Sequence, residues 1–116
     1  MLKETFFNQY KGWGEKIPPN AQIINVMRTH GSVLAPSYDL LNDWKGKKIS
    51  WDEYTRRFIQ EMQGNNNAQL MIKEIREQCK TKDIYLVCAC HNSKKQCHRF
   101  LLMDMINEED DIMDLF

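Results

Sequence analysis

The sequence predicts an α/β fold, a small sheet of two or three parallel strands covered by helices. Three observations carry that prediction. In the stretch from Asp83 to Ile106, Ile84, Leu86, Cys88 and Cys90 alternate with Tyr85, Val87 and Ala89. That run is too short for a helix and apolar on both faces, which is how a strand covered on both sides reads. A second strand pattern stands at Ala21 to Met27, with Ile23, Ile24 and Val26 inside it. Helical patterns fill the chain between these strands, and long helical crossovers imply parallel pairing. The strand at 84–89 is therefore expected at the centre of the sheet, with 22–27 as its parallel neighbour.

In chain order, Met1 to Tyr10 carries Leu2, Phe6, Phe7 and Tyr10 and suits either a short strand or a helix. Gly12, Gly14, Pro18 and Pro19 then punctuate a loop. Gly12-Trp-Gly14 is no dinucleotide fingerprint, because Ile17 stands where the third glycine belongs. Arg28, Thr29 and His30 follow the strand at 21–27 as a polar cluster. Ser37 is an N-cap for a helix through Trp44 that ends at Gly46, with Leu40, Leu41 and Trp44 turned inward. Ser50-Trp-Asp-Glu53 is a capping box for the next helix, whose buried face is Trp51, Tyr54, Phe58 and Met62. A third helix is expected from about Asn67 to Cys79, with Cys79 a small core residue. Beyond the strand at 84–89, His91 to Gln96 form a polar, basic loop, and from Cys97 the pattern becomes helical.

The totals bound the class. A chain of 116 residues is one domain; residues 1–106 are expected to form it, with 107–116 an acidic C-terminal tail. Lys+Arg and Asp+Glu are each 16, so any nucleic-acid contact must come from local patches. No apolar run approaches the roughly 20 residues of a membrane span, and no h-region opens the chain. The four cysteines sit in apolar or loop positions. Reduced thiols in a cytoplasmic protein away from the membrane are the expectation.

Several short motifs occur in a telling order: Lys16-Ile-Pro, the strand ending in Arg28, Leu34-Ala-Pro-Ser37, Trp51-Asp-Glu-Tyr54, and Leu86-Val-Cys88 with Cys97-His-Arg99. Together they resemble the prokaryotic family catalogued as domain of unknown function 488, over nearly the whole chain. The resemblance implies an α/β fold and a shared site at the strand ends, and it implies no established activity. In that family an aromatic-acidic pair commonly follows the first cysteine; here Ala89-Cys90-His91 stands instead.

The strand-loop-helix unit places the 91–96 loop at the carboxyl edge of the sheet, where open α/β folds bind ligands. An anion site is the first reading. The start of the Cys97 helix favours a phosphate or carboxylate, Arg99 is placed to clamp it, and His98, Lys94 and Arg28 complete the charge. Arg28, Cys88, Cys97, His98 and Arg99 are expected in one pocket, taking a nucleotide, a nucleic-acid backbone or a phosphorylated metabolite. Against it stands an Arg99 that simply pairs with a nearby carboxylate such as Asp104 or the carboxyl tail.

A thiol-dependent enzyme or redox sensor using Cys97 is the alternative, because cationic neighbours stabilise a thiolate; Cys88 or Cys90 would then be the resolving partner. Zinc on Cys88, Cys90, His91, Cys97 and His98 ranks lower. Cys-x-Cys in a strand separates α-carbons by about 6.6 Å, so no metal and no cofactor are assigned. A DNA-associated adaptor using Lys45, Lys47, Lys48 and the loop lysines is the non-enzymatic alternative. The tail ends in Met113-Asp-Leu-Phe116. Its anchors Met113, Leu115 and Phe116 either pack back on the domain or dock into a partner's pocket. The short peptides that bind bacterial sliding clamps end similarly, although Ile112 replaces their usual glutamine.

Overall fold

The computed structural model describes residues 1–8, 12–89 and 96–113, the side chains of Asn8 and 108–113 excepted. Its elements are β1 (Leu2–Asn8), β2 (Gly12–Trp13), β3 (Gln22–Asn25), a 3-10 turn (Arg28–His30), α1 (Tyr38–Lys45), α2 (Trp51–Gln63), α3 (Asn66–Gln78), β4 (Ile84–Cys88) and α4 (His98–Met113). The sheet order is β2-β1-β4-β3. β4 pairs in parallel with β1 and with β3, whereas β2 returns antiparallel along β1. Every residue of β4 is buried, as its apolar pattern on both faces requires. The expected α/β class and the parallel pairing of the 84–89 and 22–27 segments hold.

The strand count differs from the expected two or three. The ambiguous amino-terminal segment is β1, and part of the expected loop is β2. Gly12 takes φ +69°, a left-handed conformation that glycine adopts without strain. A Cβ at Gly14 would run into the Phe6 ring, and the Gly14 N–H donates to the Phe6 carbonyl at 2.8 Å. These glycines allow a close strand return, a use of the Gly-Trp-Gly pattern that periodicity does not reveal.

Alternation along β4 divides the sheet into two faces. Ile84, Leu86 and Cys88 join the core with Leu2, Phe58, Ile72, Ile75, Leu102 and Ile106. Parallel register sets Glu4 beside Leu86 and Phe6 beside Cys88, so Glu4 points to the same face as that core. The side of the sheet bearing Tyr85 and Val87 is met by Lys3, whose ammonium lies 5.7 Å from the Tyr85 ring centre.

Helix boundaries follow their caps. Ser37 Oγ accepts from Leu40 N at 3.2 Å, Ser50 Oγ from Glu53 N at 3.1 Å, and Asn65 Oδ1 from Ala68 N at 3.1 Å. Ser37 is also gripped by α2: its N–H donates to Glu61 Oε1 at 2.8 Å and its hydroxyl to Glu61 Oε2 at 2.5 Å. α1 thus has its positive end tied to a carboxylate. Buried Arg76 of α3 donates to the carbonyls of Ile106 and Met105 on α4, at 2.7 and 3.2 Å. Cys79 lies partly buried at the C-cap of α3.

The backbone of α4 continues past Ile106 to Met113, while of the expected docking anchors the Met113 side chain and the whole of Leu115 and Phe116 lie outside the described residues. Among the described residues no helix is long and apolar enough to cross a membrane.

Replacing Glu61 by alanine leaves the capping serine and the α1 amino terminus without their carboxylate. Hydrogen bonds to charged groups contribute about 1.5–3 kcal/mol. Denaturant unfolding of Glu61→Ala should show a loss of that order, against a change within about 0.5 kcal/mol for exposed Glu74→Ala; equal effects would contradict the clamp.

Candidate functional site

Because β3 and β4 run in parallel, their carboxyl ends meet on one edge of the sheet. The Arg28–His30 turn follows β3, and Cys88 closes β4. From Gln96 the described chain runs through Cys97 into α4, which begins at His98. A cavity of about 470 Å³ opens there, lined by Arg28, Cys88, Cys97 and His98 and by Leu41, Trp44, Lys45 and Tyr54 of α1 and α2. Its size suits a small ligand, and largely apolar walls with a few polar groups are usual for such sites.

Cys88, Cys97 and His98 bring their sulfur and ring nitrogen atoms within 4.8 Å of one another, and all three residues are buried. His98 Nε2 lies 2.6 Å from the Val26 carbonyl oxygen. A carbonyl only accepts, so Nε2 carries the proton. In the neutral ring Nδ1 is then the basic nitrogen, and it stands 3.7 Å from Cys97 Sγ. Burial pushes His98 below the ordinary histidine range, and Arg99 acts in the same direction; Cys88 and the Val26 carbonyl oppose them without prevailing. An aromatic row supports the ring: Trp51 stacks on Tyr54 at 5.0 Å, Tyr54 on Phe58 at 6.2 Å, and Phe58 meets His98 at 5.7 Å.

Arg99 is 3% exposed and faces Cys97 and Glu4. Its Nε donates to Glu4 Oε2 at 2.7 Å, one NH₂ nitrogen lies 3.5 Å from Cys97 Sγ, and its plane lies 4.6 Å from the Phe100 ring centre. Burial works against its charge, but the bond to Glu4 and the nearby sulfurs outweigh that and hold the guanidinium above its ordinary value. Arg99 is absent from the cavity wall, which corrects its expected place in the pocket. It pairs with an internal carboxylate, as the opposing reading had it, and that carboxylate is Glu4 rather than Asp104 or the tail. A guanidinium tied this way steadies a sulfur and is poorly placed to clamp an incoming anion. Glu4 escaped the sequence reading because β1 was not identified as a strand; alternation from Leu2 would have placed it on the core face.

Arg28 does reach the cavity. It donates to the Ser32 carbonyl at 3.4 Å and lies over the Tyr38 ring at 5.4 Å. Its buried Nε has no hydrogen-bond partner among the described residues. Lys45, grouped from sequence with Lys47 and Lys48, is exposed as they are, but it also lines the cavity. Lys94, Lys95, Cys90 and His91 lie outside the described residues.

The neutral state of His98 links stability to pH. With its folded value depressed below the ordinary 6.5, the unfolded chain takes up a proton that the native chain refuses. Native stability therefore falls as pH drops from about 6.5 towards the lowered value, by up to about 1.4 kcal/mol per pH unit from this residue. Denaturant unfolding of metal-free protein at pH 7.5 and 5.5 should show a shallower acid loss in His98→Gln than in the wild type; equal losses would contradict a neutral buried imidazole.

The site's residues fall within a match to known sequences. A family model described as "Active DUF488-N3 subclade" matches residues 8–110. That span contains Arg28, Cys88, Cys97, His98 and Arg99 and leaves Glu4 outside it. No curated protein and no solved structure matches the chain. With most of its length covered by that model, the chain belongs to the family of domain of unknown function 488.

Proposed function

We propose that this chain is a thiol-dependent enzyme whose cavity takes a small phosphate-bearing molecule, with Cys97 as the nucleophile. One observation carries the reading: His98 Nδ1 stands 3.7 Å from Cys97 Sγ while Nε2 is tied to the Val26 carbonyl. A thiol, a base and a group that orients the base make a nucleophile site. In the reaction the Cys97 thiol gives its proton to Nδ1, and sulfur bonds to the electrophilic centre of the substrate. The leaving group departs with its electron pair and takes the proton from Nδ1. Arg99 and the amino-terminal end of α4 stabilise the thiolate between these steps, and Glu4 positions Arg99.

The ligand class rests on Arg28 and Lys45, two cations on a cavity whose other walls include Trp44, Tyr54 and Leu41. A phosphate suits the cations, and a planar or apolar portion suits the aromatic wall; nucleotides combine the two. The family description "active" favours chemistry over passive binding. No arginine stands six residues after Cys90 or Cys97, where a phosphatase-type loop would need one; Gln96 and Met103 are there. The phosphate is therefore a recognition handle, and the electrophile is elsewhere in the molecule.

Alkylation by iodoacetamide tests this reading, in chelator-treated, reduced protein with Cys97 followed by peptide mass spectrometry. At pH 7 Cys97 should react at least about tenfold faster than free glutathione, and His98→Gln should remove that advantage. A nucleoside monophosphate should protect Cys97, and Arg28→Ala should abolish the protection. A Cys97 no faster than glutathione would overturn the nucleophile. Protection unchanged in Arg28→Ala would overturn the anion assignment.

A further inference from the structure

Beyond the nucleophile reading, we infer that Cys88, Cys97 and His98 form a three-ligand site for a thiophilic divalent cation of the zinc class, with its fourth position facing the cavity. Cys88 and Cys90, two residues apart along a strand, are poorly spaced for zinc. The fold instead joins Cys88 to Cys97 and His98 across the edge of the sheet, and all ligand atoms lie within 4.8 Å of one another. Tetrahedral zinc with ordinary bond lengths sets a sulfur and a nitrogen about 3.6 Å apart. Cys97 Sγ and His98 Nδ1 are 3.7 Å apart.

The surroundings match what such a site needs. A metal-binding imidazole commonly donates its second N–H to a carbonyl, which fixes its tautomer and orientation. His98 Nε2 has that partner in Val26, and the nitrogen left over is the one beside sulfur. Arg99 also donates to Cys97 Sγ, an outer contact that steadies a thiolate ligand. Two thiolates balance a divalent cation, and Glu4 balances Arg99, so the buried cluster carries no net charge. Soft sulfur and imidazole donors select zinc over magnesium or calcium. Three protein ligands opening on a cavity leave the fourth position to water or to an anionic ligand group, the pattern of an open rather than a closed zinc site.

This inference does not depend on the nucleophile reading. With the metal bound, both sulfurs are ligands and Cys97 does not attack. The two readings therefore exclude each other at any one moment.

Titration of chelator-treated, reduced protein with Co²⁺ under anaerobic conditions tests it, followed by displacement with Zn²⁺. The expected result is one equivalent bound, with the intense visible bands of a four-coordinate site and sulfur-to-cobalt charge transfer in the near ultraviolet. Cys88→Ser, Cys97→Ser and His98→Gln should each weaken binding at least about a hundredfold, while Cys79→Ser should not. Circular dichroism checks that each variant is folded. Should Cys97→Ser fail to fold, Cys88→Ser and His98→Gln decide the matter. Tight four-coordinate binding retained by a folded Cys88→Ser or His98→Gln would overturn the site, as would a wild type without the charge-transfer band. Alkylation of Cys97 in the metal-free protein is scored separately, so a failed metal site and a failed nucleophile give different results.

Discussion

The whole arrangement depends on β4 having no exposed side. Its five residues are buried, so each backbone N–H and C=O must be paired within the sheet or left unsatisfied at a cost of roughly 1–3 kcal/mol. β1 and β3 supply those partners in parallel on either edge. Parallel strands end together, and that common end is where Cys88 meets the turn carrying Arg28 and the start of α4. The Val26 N–H donates to the Val87 carbonyl at 3.0 Å, and the Val26 carbonyl then accepts from His98. One residue thus closes the ladder through its N–H and orients the imidazole through its carbonyl. The site is positioned by the same hydrogen bonding that holds the sheet.

A second constraint is electrostatic. A guanidinium only 3% exposed needs a counter-charge, and Glu4 meets it from β1 at 2.7 Å. That pair fixes the direction in which the remaining Arg99 nitrogens point, which is towards Cys97. Neutral His98 and charged Arg99, adjacent in sequence, therefore have opposite environments on one sulfur. The imidazole is held without a second proton by burial, and the guanidinium keeps its charge through its carboxylate. Thiol chemistry and metal binding draw on this common feature, because both require sulfur as the thiolate.

The sequence made the architecture legible wherever a local signal was strong. Ser37, Ser50 and Gly46 mark helix ends by hydrogen-bonding groups or conformational freedom that act within a few residues. The two-faced apolar run at 84–88 marks the central strand. β1 was not legible because Lys3, Glu4 and Thr5 break its apolar alternation. Their roles come from partners distant in sequence: Glu4 meets Arg99, and Thr5 Oγ1 accepts from Glu15 N at 2.8 Å. The candidate site was partly legible for the same reason. Cys88, Cys97, His98 and Arg28 stand at element ends, so placing the elements places them. The partner of Arg99, the orienting carbonyl of Val26 and the cavity position of Lys45 depend on tertiary packing, which spacing does not encode.

The central claim is that burial keeps His98 neutral while the Val26 carbonyl fixes its one proton on Nε2, with Nδ1 presented to Cys97. Long-range ¹H–¹⁵N correlation spectra of the histidine ring at pH 7, in metal-free protein, measure this directly. The account predicts one protonated, pyrrole-type nitrogen at Nε2 and one unprotonated, pyridine-type nitrogen at Nδ1. A His98 ring protonated on both nitrogens, or carrying its proton on Nδ1, would contradict it.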